Sequence, residues 1–314
     1  RSISSFISKK IANKLKDLLK NNPEFYAEIW DSISAFVKIG VIEDEKFSEL
    51  AQNSIIFETK LGLNLEKENE KEIENKFLIK LNDKFFTTLE NYSNRNKNED
   101  DNKIIYCTDE ISQSNALNLW LSNDKEVIKA DPLIDAQFIP WLESQNDKYK
   151  FQRVDSEIND ETEKDSPEIV DKDGKSNTDN IKEIITKALN NEKVTVKVQS
   201  LKNNNAPPAL ILLPEQMRRI NDMGAYMEQK IPGLPEYHVL LVNKDHPLIN
   251  GLIKFTDKKI ILNEKDSDES SLTGRIANHI YAMAKLTVGG LDQKQIVDLQ
   301  LNNAELLTEL LNSN

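Results

Sequence analysis

Cysteine is almost absent. Cys107 is the only one among 314 residues, so the chain holds neither a disulfide framework nor a cysteine-based metal site. It stands in the apolar run Ile104, Ile105, Tyr106, which reads as a buried strand. The three histidines, His238, His246 and His279, are scattered singly, without the nearby partners that zinc needs, and read as satisfied structural side chains. No apolar run approaches the roughly 20 residues that cross a bilayer. No signal peptide is recognisable, so a cytoplasmic protein is expected. Glycine is scarce, and none follows a strand in the turn that cradles a phosphate, so a nucleotide site has no signature here. Positive charge is also in deficit: 41 basic residues face 53 acidic ones, and a net charge of -12 argues against nucleic acid as a partner.

The length exceeds one ordinary domain and predicts two. The chain opens on Arg1, inside a helical pattern, and is expected to be a piece of a longer protein. Apolar residues at three- and four-residue spacing predict a helix over 2–20. A second helix opens with Asn22 as cap and Pro23 in its first turn and is predicted to stop at Gly40. A third covers 44–52. After a strand at 55–59, residues 60–103 are rich in Lys, Glu and Asn and read largely as a solvated insertion, with Phe77, Leu78, Leu81, Phe85 and Phe86 marking a locally ordered piece. The period then alternates: strand 103–107, helix 111–121, strand 126–129, helix 135–144, strand 149–154. That order predicts a small, mostly parallel sheet with crossover helices.

Residues 155–180 carry ten carboxylates and almost nothing apolar, and read as an acidic linker. Beyond it the pattern predicts a helix at 181–189 and a hairpin-like pair of strands at 194–198 and 209–213, followed by a strand at 237–242. Between the last two lies 214–230, where three of the four methionines, Met217, Met223 and Met227, fall on one amphipathic helix. Unbranched, polarizable thioethers repack against many apolar shapes, which suits variable partners. Ordinary core packing is the other reading of the same stripe. After a polar interruption at 257–268, two terminal helices are expected at 271–286 and 292–311. One stripe runs Leu272, Ile276, Ile280, Met283. The other runs Ile296, Leu299, Leu306, Leu307, Leu310, Leu311. Two such helices leave an apolar face over, and pairing with a second copy in a two-fold four-helix bundle closes it; docking back on the chain's own core is the alternative. The fold class is therefore α/β within an overall α+β chain. A helical sub-block (1–53) and a small three-layer α/β unit (54–155, with the insertion) precede the linker (156–180) and a small α+β dimerisation domain (181–314).

Several segments together resemble the heat shock protein 90 chaperone family, of the bacterial HtpG type. RSISSFISKKIANKL followed by NPEFYAEIWDSISAFVKIGVIEDEKF is similar to the stretch of its middle domain just past the catalytic loop. FTTLENYSNRN with NKIIYCTDE resembles its Leu-x-x-Tyr, basic, Ile-Tyr-Tyr-x-Thr passage. PLIDAQFIPWLESQNDKYKFQRVD resembles the Ile-Asp helix and the strand that ends the middle domain, and NNAPPALILLPEQMRRINDM the Pro-Ala strand and Met-bearing helix of the C-terminal domain. The segments occur in family order.

The resemblance implies the distal middle domain plus the C-terminal dimerisation domain of such a chaperone. The ATP-binding domain and the Arg-bearing loop would lie ahead of Arg1, so ATP and magnesium would belong to the full-length parent. No catalytic, cofactor-binding or metal-ligating residue is expected in this chain, and no membrane partner. The implied partners are a second copy, non-native client proteins and co-chaperones. Met217, Ile220, Met223, Tyr226 and Met227 are the expected client contacts, joined by Phe138 and Trp141, for which plain core is the alternative. Two other functions remain open: a passive interaction scaffold, and a small α/β enzyme using Thr108, Asp109 and Asp131 at the sheet's C-terminal edge.

Overall fold

A computed structural model describes residues 2–62, 78–96, 103–145, 148–156, 176–201, 206–214, 218–219, 234–261 and 271–312, with side chains for all of these except 2–5, 257–261 and 310. The chain divides into two compact units. One holds the described residues up to Glu110 together with Trp120–Val154; the other holds Ile111–Leu119 and the described residues from Asp155 onward.

The first unit opens with the helices α1 (Ser2–Asn21), α2 (Pro23–Glu43) and α3 (Glu45–Ala51). Asn22 makes no side-chain cap bond, so Pro23, with its preset φ, marks the start of α2. The expected stop at Gly40 is corrected, because α2 continues to Glu43. Gly40 serves packing instead: a Cβ there would lie 3.1 Å from the Phe47 ring. Asp44 separates α2 from α3 and caps the latter, accepting from the backbone N–H groups of Lys46 and Phe47 at 3.0 and 3.2 Å.

Strands β1 (Ile56–Lys60), β2 (Ile79–Leu81), β3 (Lys84–Thr88), β4 (Lys103–Cys107), β5 (Val127–Lys129) and β6 (Lys150–Arg153) form one sheet in the order β2-β3-β1-β5-β4-β6. Only the β4 pairings with β5 and β6 are parallel; β1 with β3, β1 with β5 and β2 with β3 are antiparallel. The sheet is therefore mixed, not mostly parallel. The difference comes from the hairpin β2–β3, inside the stretch whose Lys and Asn content reads as solvent-borne. Its two-residue turn places Asn82 at φ 53, a conformation Asn tolerates, and its inner face buries Phe86. The short helix α4 (Leu89–Arg95) follows, then α5 (Ser114–Ser122) and α6 (Asp135–Gln145).

Two buried ion pairs organise this unit. Glu126 receives Arg95 at 2.7 and 3.1 Å, Thr59 Oγ1 at 2.9 Å and Asn96 Nδ2 at 3.2 Å, while the Tyr92 hydroxyl donates to the Glu126 carbonyl at 2.9 Å. Lys38 of α2 meets Asp135 of α6, its Nζ 2.7 and 2.8 Å from the two carboxylate oxygens, and lies 4.6 Å from the centre of the Phe57 ring of β1. Helices and sheet thus share one core, which includes Tyr26, Trp30, Val37, Phe57, Ile128 and Phe138.

In the second unit, α7 (Asn177–Leu189) is capped by Ser176 and ends at Asn190 in the left-handed region. Its sheet has the order β7-β9-β8, with β7 (Val194–Gln199), β8 (Ala209–Leu212) and β9 (His238–Asn243). The expected β7–β8 hairpin is corrected: β9 lies between them, parallel to β7 and antiparallel to β8. All six β9 residues are buried, as a central strand covered on both faces requires. Leu240 and Val242 face α7, α8 (Pro247–Ile261) and α9 (Leu272–Thr287); Val239 and Leu241 face Leu119 and Leu201. Helix α8 was not expected and runs to Ile261, through the first residues of the polar interruption expected at 257–268; its buried residues Ile249, Leu252 and Ile253 give it a core-facing side. Helix α10 (Gln293–Asn312) closes the described chain.

Removing Lys38 alone strands the Asp135 carboxylate in the core. Lys38→Met is expected to cost about 3–5 kcal/mol in urea unfolding of the first unit, and Lys38→Met with Asp135→Asn to recover at least half of that loss, since Asn still accepts the Asp131 N–H that Asp135 accepts at 2.7 Å.

Candidate interaction surfaces

Helix α9 has two faces of different fate. Thr273, Ala277, Ile280 and Ala284 recur at four- and three-residue spacing and pack inward, with Ala277, Ile280 and Ala284 in the core of the second unit. Leu272, Ile276, His279, Met283 and Leu286 recur the same way one step round the helix and are half-buried or exposed. Helix α10 is pinned to α9 by charge: Arg275 lies 2.5 Å from Glu309 and 3.4 Å from Glu305. Leu299 faces inward, with Ile296 and Leu306 half-buried. On its outer side Val297, Leu301, Ala304 and Leu311 are exposed, Leu301 by 60% and Leu311 by 76%, at the spacing 4, 3, 7. A row of this kind is the seam with which one helix packs on another.

The expected interface residues are therefore divided by the structure. Met283 and Leu307 are exposed, and Leu272, Ile276, Ile296 and Leu306 are half-buried. Ile280, 2% exposed, is spent on its own unit's core, and Leu299 faces inward; the side chain of Leu310 lies outside the described residues. Sequence reasoning missed Val297 and Leu301, although their four-residue spacing beside Ala304 and Leu311 was readable. The leucines next to them supplied an equally regular stripe.

Of the expected client contacts, Met217, Ile220, Met223, Tyr226 and Met227 all lie outside the described residues. Phe138 has no exposure at all and stacks on the half-buried Trp141 with ring centres 5.8 Å apart. Phe138 is thus core, the alternative reading of this pair, and Trp141 packs against that core.

At the sheet edge proposed for an enzyme, Asp131 Oδ1 accepts from the backbone N–H groups of Leu133 and Ile134 at 2.8 and 2.9 Å, which fixes the turn into α6. Burial pushes the Cys107 thiol up to about 11, so it is no nucleophile at neutral pH. Among the described residues no three His, Cys, Asp or Glu side chains gather as metal ligands, and no helix is long and apolar enough to cross a membrane.

The histidines are not alike. His238 Nδ1 faces the Pro235 carbonyl at 2.8 Å and so carries the proton, leaving Nε2 to accept from the Tyr281 hydroxyl at 2.8 Å. His246 Nδ1 accepts from the Leu248 N–H at 3.1 Å. His279 departs from the expected satisfied state: its buried Nδ1 has no hydrogen-bond partner among the described residues.

The described chain thus has an α/β unit and an α+β unit, buried charges that serve architecture, and a last helix pair that leaves apolar side chains exposed. The sequence profile of the family described as Hsp90 protein matches residues 1–298, and the chain belongs to that family. It is 29% identical over 284 residues to the Chaperone protein HtpG of Porphyromonas gingivalis, covering 87% of this chain and 37% of that protein. It is 25% identical over 266 residues to the Chaperone protein HtpG of Bacteroides thetaiotaomicron, with 81% and 35% covered. The corresponding protein of Buchnera aphidicola is 28% identical over 270 residues, with 81% and 38% covered. The chain spans between 35% and 38% of the length of these relatives. Membership supports a chaperone function.

Burial holds the pKa values of both His238 and His279 below the usual 6.5, and Lys285 adds to the effect at His238. The unfolded chain then takes up these protons more readily, so their contribution to stability is complete above about pH 6.5 and is lost as the pH falls through the folded values. Proton NMR titration should give both imidazoles midpoints below 6.5, and the second unit should melt earlier at pH 5 than at pH 7, with the difference reduced in His238→Gln.

Proposed function

We propose that this chain supplies the dimerising and client-holding part of an ATP-dependent chaperone. The observation that carries the proposal is the outward row of Val297, Leu301, Ala304 and Leu311 on α10, beside Met283 and Leu286 on α9. Two copies related by a two-fold axis bury both rows in a four-helix bundle, and each leucine taken from water contributes about 1.5–3 kcal/mol.

The methionine-rich segment 214–230 holds non-native chains through Met217, Ile220, Met223, Tyr226 and Met227. Its soft side chains match the absence of any fixed shape in the ligand. No bond is made or broken by residues of this chain. ATP and magnesium act in the portion of the relatives that it does not span. A client influences the cycle only through different affinities for the open and closed states. The setting is the cytoplasm under stress, with co-chaperones as further partners.

Light scattering should give twice the chain mass of 36.0 kDa for the intact chain. It should give a monomer for Leu301→Asp with Leu311→Asp, and a monomeric intact chain would refute the dimer. In a separate assay, Met223→Asp with Met227→Asp should weaken suppression of a model protein's aggregation several-fold while the dimer persists. Undiminished suppression would remove these residues from the client site.

A further inference from the structure

The first unit carries a second apolar seam. Helix α2 buries Tyr26, Ala27, Trp30, Val37 and Val41 on one side. On the opposite side Phe25, Ile29, Ser32, Phe36, Ile39 and Glu43 recur at four- and three-residue spacing, within roughly 40° of a single line along the helix at 100° per residue. Phe36 is 78% exposed, Phe25 43% and Ile39 40%. A helix that is apolar on two opposed sides ordinarily lies between two partners, and only one of these sides is covered within the described residues. The spacing selects the shape of the missing partner, because a 4–3 seam receives the side chains of another helix.

Charge selects its sign. Glu24, Glu28 and Asp31, all exposed, run along one edge of the seam, and Glu43 stands at its end. The only basic residue of α2 is Lys38, which is buried and paired with Asp135. We infer that the outer face of α2 docks an amphipathic helix of a partner polypeptide, with apolar residues at 3–4 spacing and lysine or arginine along one flank. The seam from Phe25 to Ile39 is about 21 Å long and takes about four turns of that helix. The inference rests on α2 alone and stands whether or not the terminal helices and the methionine segment act as proposed.

The probe is a fluorescein-labelled peptide of about 18 residues made of leucine and lysine at helical spacing, titrated by anisotropy against the full chain at about 0.15 M salt. The same peptide with glutamate for lysine is the control. Phe36→Asp, at an exposed position, should weaken binding roughly tenfold or more without shifting the melting temperature. Glu28→Lys with Asp31→Lys should weaken it several-fold and flatten its salt dependence, while Leu301→Asp, on α10, should leave it within about twofold. Equal binding of the glutamate peptide, or indifference to Phe36→Asp, overturns the assignment. So does self-association that is abolished by Phe36→Asp and by Lys10→Glu and that excludes the peptide, since the occupant would then be α1 of a second copy, on which Phe6, Ile7 and Ile11 are exposed beside the exposed Lys10.

Discussion

The first unit depends on a charge held where charge is expensive. Lys38 and Asp135 are both buried, one on a helix of the opening block and one at the start of the helix that leads to β6. Burial alone raises the Asp135 carboxyl well above its usual range, and the ammonium at 2.7 Å opposes that shift. Such a pair adds little net stability compared with well-packed hydrocarbon, but it punishes every arrangement that separates its members. Here it sets the rotation of α2: with Lys38 turned inward over Phe57, the line through Phe25 and Phe36 must face out.

The second unit reaches a comparable result by packing. Its sheet has apolar side chains on both faces, and the helices that cover one face use the small residues Ala277 and Ala284 with Ile280 to approach it closely. This consumes one side of α9 and leaves Met283 and Leu286 on the other. Arg275 then holds α10 through two carboxylates near its C-terminal end, which fixes that helix while leaving its leucine row free.

Much of the fold was legible in the residues. Many helix and strand periods were located to within a few positions, because amphipathic repeats and caps such as Asp44 and Ser271 leave local signals, but α4 and α8 were not expected and α7 starts at Asn177, inside the stretch read as linker. The hairpin at 79–88 was not legible as part of a sheet. Its burial comes from β1, whose Ile56 to Thr59 pair with Phe85 to Thr88 far along the chain, while the Lys- and Asn-rich residues around it read as solvated. The place of β9 between β7 and β8 was likewise hidden, since strand order is decided by which strand has two apolar faces to bury. Of the candidate site, the terminal helix pair and Leu311 were visible, and the rest of its outward row was not. Phe138 shows the same limit, because an aromatic side chain at helical spacing reads alike whether it ends in a core or on a surface.

The sequence by itself determined the class of protein: family membership carried by ordered segments, two folding units, a final pair of amphipathic helices, and no room for disulfide or cysteine-metal chemistry. Those are properties of composition, spacing and local periodicity, which act over a few residues and need no partner to be read. Only the tertiary structure decided which face of each helix remained open. That choice rests on contacts between residues far apart in the chain, such as Lys38 with Asp135 and Arg275 with Glu309. Two stripes on one helix can be equally apolar, and the one that stays exposed is the one the rest of the fold does not cover.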